Sequence, residues 1–266
     1  MDHSAMRLDG KKILITGASR PLSIGAALAR RFAKAGAAVA IHGFSEYDLT
    51  VGNIKSSSPN GTELLAKQYQ DMGLNVSLVT PSDFGKYGTA AKVVEEAAEK
   101  LNGLDGMVIT HCYGTYCEIG QWTEKDIDTH LSVNVRAAMM MIQAFAGLAD
   151  AAKENAITTF SSGQYKHVET DLMAYSVSKD AIICLTRGAA QLLADKNIRV
   201  NCIDPGPNDT GWCSGETYEA VAKSFPSGRW GTPDDTADLA LFLHSGYGKW
   251  ITGQIIASHG GSKIEF

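Results

Sequence analysis

The residue pair with the clearest chemical potential is Tyr175 and Lys179, four positions apart near the start of a helical pattern. Residues at i and i+4 share one face of a helix, and a nearby ammonium favours the phenolate and lowers the pKa of a tyrosine. A phenol tuned in this way can donate or accept a proton near neutral pH. Taken alone, the pair is also compatible with an ordinary surface contact.

Ser162 lies upstream, two residues after the end of the apolar segment Ala156–Phe160. In parallel α/β sheets, ligands bind at the carboxyl ends of the strands. A serine hydroxyl placed there could hydrogen-bond a substrate oxygen. Otherwise, serines after a strand are common turn residues at the start of a loop and need no function.

A phosphate-binding turn is predicted near the beginning of the chain. The apolar run Ile13–Ile15 leads into Thr-Gly-Ala-Ser-Arg at positions 16–20, and a helical pattern begins near Ser23. A strand, a glycine turn and a helix N-terminus direct backbone N–H groups and a helix dipole at an anion. We interpret this segment as a dinucleotide site. Plain turn chemistry stays the alternative, because Gly17 and Gly25 do not follow the common G-x-G-x-x-G spacing.

Strand-like and helix-like segments alternate along the whole chain, which predicts one α/β domain over residues 1–266 with helices on both faces of a doubly wound, parallel sheet. The long segment from Gly43 to Gly61 is expected to be an irregular surface loop. The predicted helices lie near 23–35, 62–72, 86–101, 123–149, 173–195 and 233–244. The predicted strands are Ile13–Ile15, Ala38–Ile41, Val76–Val79, Met107–Ile109, Ala156–Phe160, Val200–Ile203 and Gln254–Ala257.

The composition excludes several classes of function. A net charge of −5 over 266 residues argues against a nucleic-acid or anionic-membrane surface. We see no apolar run approaching the ~20 residues of a membrane span, and no secretory signal at the N-terminus. Five cysteines without a C-x-x-C pattern indicate reduced thiols and a cytoplasmic protein. The spacing of His111, Cys112 and Cys117 matches no common zinc pattern, so no metal is expected.

Together these residues resemble the short-chain dehydrogenase/reductase family, in particular its Ser-Tyr-Lys branch, which includes the 3-oxoacyl-carrier-protein reductases. The resemblance covers nearly the whole chain. Several landmarks in the right order are more specific than any one of them. They are the turn at 16–20, Asp83, Asn134, Ser162 thirteen residues before Tyr175, the Tyr-x-x-x-Lys pair, the segment 201–207 with Thr210, Arg229–Pro233, the segment 251–254 and Gly260-Gly261.

The resemblance implies a Rossmann-type sheet of about seven parallel strands and hydride transfer between a nicotinamide cofactor and a carbonyl carbon. It implies that Tyr175 gives or takes the proton and that Ser162 holds and polarises the carbonyl oxygen. It further implies that Lys179 binds the nicotinamide ribose and lowers the pKa of Tyr175, and that Asn134 positions a water.

The same resemblance gives the expected contacts. Substrate contacts are expected, by their position near the motifs, at Tyr113, Gln164, Tyr165 and Trp212. Cofactor contacts are expected at Gly17, Ser19, Arg20, Ser23, Ile24, Gly25, His42, Asp83, Phe84, Gly114, Tyr175, Lys179, Pro205, Gly206 and Thr210.

Two segments depart from the family pattern. Pro21-Leu22-Ser23 replaces the usual middle glycine, and the resulting loop is similar to that of enoyl-acyl-carrier-protein reductases, a related branch that reduces C=C bonds. In that branch six residues lie between the tyrosine and the lysine, so the tyrosine stands seven positions before the lysine. Here that position, before Lys179, is Leu172. The second departure is Thr110-His111-Cys112-Tyr113-Gly114, where the family usually has Asn-Asn-Ala-Gly and only Gly114 is retained. His111 is interpreted as a structural hydrogen-bonder rather than a catalytic base.

Cofactor choice follows from two positions. The second strand ends at Ile41-His42-Gly43-Phe44, without the acid that would hold the ribose hydroxyls of NAD. Arg20 could meet a 2′-phosphate instead, so NADP(H) is favoured over NAD(H). Glu46 or Asp48 in the long loop could overturn this preference.

The sequence therefore predicts an NADP-dependent reductase of ketones, or dehydrogenase of secondary alcohols, acting on a small molecule. A homotetramer, or a homodimer, is implied by the resemblance, with the helices near 123–149 and 173–195 at the main interface. Two alternatives stay open: an enoyl-thioester reductase, and a protein that binds NADP without turnover as a sensor or scaffold.

Overall fold

The computed structural model describes residues 6–52, 54, 56–163 and 169–261. Seven parallel strands form one sheet in the order β3-β2-β1-β4-β5-β6-β7. This confirms the predicted doubly wound sheet. The strands are β1 (Lys12–Ile15), β2 (Ala38–Ile41), β3 (Val76–Leu78), β4 (Gly106–Ile109), β5 (Asn155–Phe160), β6 (Ile198–Asp204) and β7 (Ile255–Ala257).

Helices cover both faces of this sheet. They are α1 (Ile24–Lys34), α2 (Ser45–Thr50), α3 (Gly61–Asp71), α4 (Thr89–Leu101), α5 (Glu124–His130), α6 (Ala137–Leu148), α7 (Met173–Leu192), α8 (Gly215–Ser224) and α9 (Pro233–His244).

Alternation along β1 separates two apolar cores. Ile13 and Ile15 pack in a cluster with α1, α3 and α9, whereas Leu14 packs on the opposite face with α4, α6 and α7. All three side chains are fully buried. A strand buried on both faces reads as a continuous apolar run, which is why this segment lacks polar alternation.

The chain changes direction across the sheet between β1 and β4. Both β2 and β4 pair with β1 in parallel register, so β1 has a neighbour on each side. In open α/β sheets, ligands bind in the crevice outside the carboxyl ends of the strands at such a switch point. The loops that follow β1 and β4 are therefore the two walls of a candidate ligand crevice.

Three segments differ from the sequence-based expectation. The stretch 43–61 is not wholly irregular, because α2 forms within it. The predicted helix 123–149 is interrupted by a π-helical turn at Leu131–Arg136, between α5 and α6. Helix α8 was not predicted, since no buried face marks it: the structure buries none of its residues.

The helical run Glu124–Leu148 is, within the described ranges, the one helix whose length and composition could cross a membrane. Its mean hydropathy is 1.3 over the most apolar window, and 33% of that window is buried. Met141, Ile142 and Phe145 lie in the core beneath the sheet. The run therefore has one face in the protein interior and one apolar face outside it.

Candidate active site

The turn after β1 has the geometry of a phosphate cradle. Gly17 adopts φ +75°, and a Cβ at this position would lie 2.6 Å from Thr110 Oγ1 and 2.9 Å from His111 N. Only glycine combines this left-handed conformation with such a close approach. Ser23 caps α1 by accepting the N–H of Ala26 at 3.0 Å, which leaves the first N–H groups of the helix directed outward. These residues fit a pyrophosphate.

Arg20, the cationic residue of this turn, forms an ion pair with Asp48 of α2. Arg20 Nε lies 3.3 Å from Asp48 Oδ1, and both side chains are nearly buried, at 11% and 7% exposure. The second carboxylate oxygen of Asp48 accepts the hydroxyl of Ser19. The guanidinium of Arg20 also donates to the Thr210 carbonyl oxygen. Both oxygens of the Asp48 carboxylate therefore already have a donor from the glycine turn.

The neighbouring residue on α2 reaches the opposite wall of the crevice. The Tyr47 hydroxyl donates to the Gly114 carbonyl oxygen at 3.0 Å and accepts the Gly114 N–H at 3.2 Å. Its ring lies 5.5 Å from that of Tyr113. Because Gly114 follows β4 and Ser19 follows β1, α2 bridges the two loops that flank the switch point.

Tyr175 and Lys179 project from the first turns of α7 toward the same crevice. A Cβ at Gly114 would lie 3.2 Å from Tyr175 Cδ2, so the ring packs closely against this glycine. The Lys179 ammonium donates to the Phe160 carbonyl oxygen at 3.1 Å and lies 5.6 Å from the Tyr175 ring centroid. Ser162 hydrogen-bonds to Tyr175. The structure thus brings the three predicted groups together.

The expected lowering of the Tyr175 pKa is not found. Burial raises this pKa, the nearby Cys112 raises it further, and the hydrogen bond with Ser162 lowers it only in part. Removal of the phenol from water disfavours the charged phenolate, while the Lys179 ammonium is directed at Phe160. Tyr175 is consequently a neutral O–H group, which is the form that donates a proton.

Asn134 organises the loop after β4. Its amide accepts the Tyr113 N–H at 2.7 Å and donates to the Tyr113 carbonyl at 2.8 Å. It also donates to Ser178 Oγ at 2.8 Å, and this hydroxyl in turn donates to the Tyr175 carbonyl at 2.7 Å. The sequence analysis missed Ser178, which joins Asn134 to the helix turn that carries Tyr175.

His111 ties this loop to the sheet. Its Nε2 lies 3.1 Å from the Val133 carbonyl oxygen, and its Nδ1 lies 2.8 Å from Thr16 Oγ1. A carbonyl can only accept, so Nε2 carries the proton and Nδ1 accepts from Thr16. Burial, with His42 and Lys179 nearby, lowers the His111 pKa to about 3. A neutral imidazole with both nitrogens engaged matches a structural role.

An aromatic stack lines the adjoining end of the crevice. Phe84 lies 4.5 Å from the His42 ring and 4.1 Å from the His111 ring, measured between centroids. Burial lowers the His42 pKa to about 4, and its buried Nδ1 has no hydrogen-bond partner. The Asp83 carboxylate accepts the Gly85 N–H at 2.7 Å. These residues offer an apolar ring surface flanked by polar atoms.

The remaining residues predicted to contact cofactor or substrate lie in different surroundings. Gly206, after Pro205, adopts φ +59° and donates its N–H to Asp204 Oδ1 at 3.1 Å. Trp212 is 54% exposed and packs edge-on against Trp230 at 5.8 Å. Gln164 and Tyr165 lie outside the described residues.

Sequence comparison decides the family. The model of the family described as "Enoyl-(Acyl carrier protein) reductase" matches residues 17–263. Galactitol 2-dehydrogenase of Agrobacterium fabrum is 30% identical over 272 positions, covering 97% of this chain and 99% of the relative. The chain belongs to the short-chain dehydrogenase/reductase family. It is thus an oxidoreductase, as the resemblance of its motifs predicted.

Two further proteins are similar to this short-chain dehydrogenase/reductase. The uncharacterized oxidoreductase YjdA of Bacillus subtilis strain 168 is 31% identical over 265 positions, covering 98% of each chain. The crystal structure of a short-chain dehydrogenase from Burkholderia cenocepacia J2315 in complex with NADP superposes with a TM-score of 0.83 at 29% identity, covering 96% of this chain and 99% of the other. Binding of a nicotinamide cofactor thus occurs on closely similar folds.

Proposed function

We propose that this short-chain dehydrogenase/reductase interconverts a ketone and a secondary alcohol with NADP(H). The observation that carries the proposal is the neutral Tyr175 phenol, hydrogen-bonded to Ser162 and one helix turn from Lys179. When bound, the nicotinamide would supply or accept the hydride at the carbonyl carbon.

Each residue of this group has a distinct task. The Tyr175 hydroxyl delivers its proton to the carbonyl oxygen as negative charge develops there, and takes it back in the oxidative direction. Ser162 donates a hydrogen bond to the same oxygen and so stabilises the charge. Lys179 places a buried ammonium, 4% exposed, beside the phenol, which favours the phenolate left after proton transfer.

NADP(H) is our proposal for the cofactor. Support comes from Arg20 in the glycine turn, from a second strand that ends at His42 without an acid, and from the NADP complex of the Burkholderia relative. Asp48 opposes this choice, because its carboxylate lies against Arg20. Glu46 on the same helix is exposed and does not bear on the preference.

We propose a homotetramer or homodimer, which the apolar outer face of the helices supports; a cytoplasmic location without a nucleic-acid or membrane partner stays our proposal from the composition alone. Leu131, Met139, Met140 and Val177 are 39% to 54% exposed. An apolar cavity of about 140 Å³ lies beside them, lined by Trp122, Ile127, Leu131, Met173, Ala174 and Val177. Burying such a face between subunits removes it from water.

Enoyl-thioester reduction is the second candidate. It is favoured by the printed description of the matching family and by the glycine turn, in which Ser23 occupies the position of the middle glycine. It is opposed by the tyrosine of the site, because Tyr175 stands four residues before Lys179 rather than seven.

The test is a nucleotide titration followed by a substrate panel. Purified protein is titrated with NADPH and NADH by nucleotide fluorescence, and the tighter nucleotide is used with a β-ketoacyl thioester, its enoyl counterpart, ketoses and simple ketones. Oxidation of NADPH with a ketone supports the proposal. Turnover of the enoyl thioester alone supports the second candidate, and failure to bind either nucleotide rejects both.

A further inference from the structure

Helix α2 spans the crevice in which the cofactor is proposed to bind. Asp48 contacts Ser19 and Arg20 on the wall after β1, and the adjacent Tyr47 contacts Gly114 on the wall after β4. We propose that Asp48 is an internal competitor for the 2′-phosphate of NADP(H), whose displacement from Arg20 and Ser19 sets the preference between NADPH and NADH.

The ion pair is well placed for such competition. An almost buried carboxylate and guanidinium attract each other more strongly than an exposed pair, because little water screens them. A 2′-phosphate needs the same donors that Asp48 now uses, namely the hydroxyl of Ser19 and the guanidinium of Arg20. A dianionic phosphate and a carboxylate repel each other at a single guanidinium, so one must leave.

A role for Asp48 as the acceptor of ribose hydroxyls fits the geometry less well. Such a role needs a carboxylate oxygen that is directed into the crevice rather than at the glycine turn. Here Oδ1 faces Arg20 and Oδ2 faces Ser19. Its two oxygens are directed at the glycine turn itself, where the carboxylate takes the place of a ligand anion.

Tyr47 makes a second, uncharged contact across the crevice. Its hydroxyl is hydrogen-bonded in both directions to the backbone of Gly114, at 3.0 and 3.2 Å. Tyr47 and Asp48 are consecutive residues of the six-residue helix α2, but they contact different walls of the crevice. The Tyr47 contact carries no charge and therefore opposes NADPH and NADH equally.

The inference rests on the proposed binding of a nicotinamide cofactor. Its test compares dissociation constants of NADPH and NADH for wild type, Asp48→Asn and Tyr47→Phe, by fluorescence titration without substrate. The matched control is Glu46→Gln, which removes one negative charge from an exposed position on the same helix. Thermal unfolding of each free protein verifies that the variants are folded.

We expect Asp48→Asn to tighten NADPH by about tenfold, the worth of freeing one charged hydrogen-bond donor, with a change of about twofold or less for NADH. Tyr47→Phe tightens both nucleotides by the same factor, and Glu46→Gln changes neither.

Two results for Asp48→Asn overturn the inference. One is an unchanged ratio of the two constants. The other is weaker NADH binding with NADPH unchanged, because Asp48 would then hold the ribose hydroxyls. If wild type binds neither nucleotide, the proposed function itself fails, and this outcome is distinct from both.

Discussion

Replacing His111 by asparagine removes its titration but keeps an acceptor for Thr16. An asparagine oxygen can accept from Thr16 in place of Nδ1, whereas the shorter side chain does not reach the Val133 carbonyl, and the amide takes up no proton. The pKa of His111 is lowered to about 3 by burial and by the nearby His42 and Lys179. In the unfolded chain the value returns to about 6.5.

The sign of the pH effect follows from these two values. The unfolded chain binds a proton that the native imidazole refuses, so the stabilisation is complete above pH 6.5 and is lost as the pH falls toward 3. Between about pH 7 and about pH 5.5, proton linkage gives a loss of about 1.2 kcal/mol. We take about 1 kcal/mol, because the ring is partly exposed and water screens the shift.

Urea unfolding at both pH values, at one protein concentration, measures the effect. Wild type should lose about 1 kcal/mol more than His111→Asn on acidification, since every other titrating group is common to both proteins. Parallel losses in the two proteins would refute the reasoning. Loss of all turnover in a folded His111→Asn protein would make His111 a catalytic base instead.

Further substitutions test the cradle, the link to the catalytic helix and the apolar outer face. Gly17→Ala should abolish nucleotide binding and lower the free energy of unfolding by about 1–3 kcal/mol, because both its φ of +75° and its contact with Thr110 exclude a Cβ. Gly10→Ala, with the same φ and open space around it, is the control in thermal unfolding and nucleotide titration. Ser178→Ala should lower kcat by about tenfold with nucleotide affinity retained, because Asn134 loses its acceptor beside Tyr175. Ser132 donates its hydroxyl to the Thr129 carbonyl within its own helical segment, so the control Ser132→Ala should leave kcat unchanged in steady-state assays. Met139→Glu should shift the sedimentation of the protein to a smaller species, because it places a charge on the apolar face of α6, 53% exposed at this position. An unchanged species would place the interface elsewhere.

Local patterns were sufficient to predict the sheet and most of the helices. The seven strands are short and apolar, and α9 begins at Pro233 behind a Thr232 cap that the sequence displays directly. The grouping of Ser162, Tyr175 and Lys179 was predicted by the family resemblance, since the local patterns alone left each of them open to an ordinary structural role.

Features that depend on long-range contacts were not predictable in this way. Helix α2 forms in a segment rich in turn residues, and its position depends on Tyr47 meeting Gly114 and Asp48 meeting Arg20, far apart in the chain. The pKa of Tyr175 was expected to fall because only its lysine neighbour is visible in sequence. Its burial, which dominates, exists only in the folded protein.

The most direct test of the central claim is turnover by Tyr175→Phe. With NADPH and a ketone that wild type reduces, the variant should lose between about 100-fold and about 10,000-fold in kcat, because its ring retains the packing against Gly114 but has no proton to give. Its dissociation constant for NADPH should match that of wild type. Turnover that survives unchanged in this variant would contradict the account.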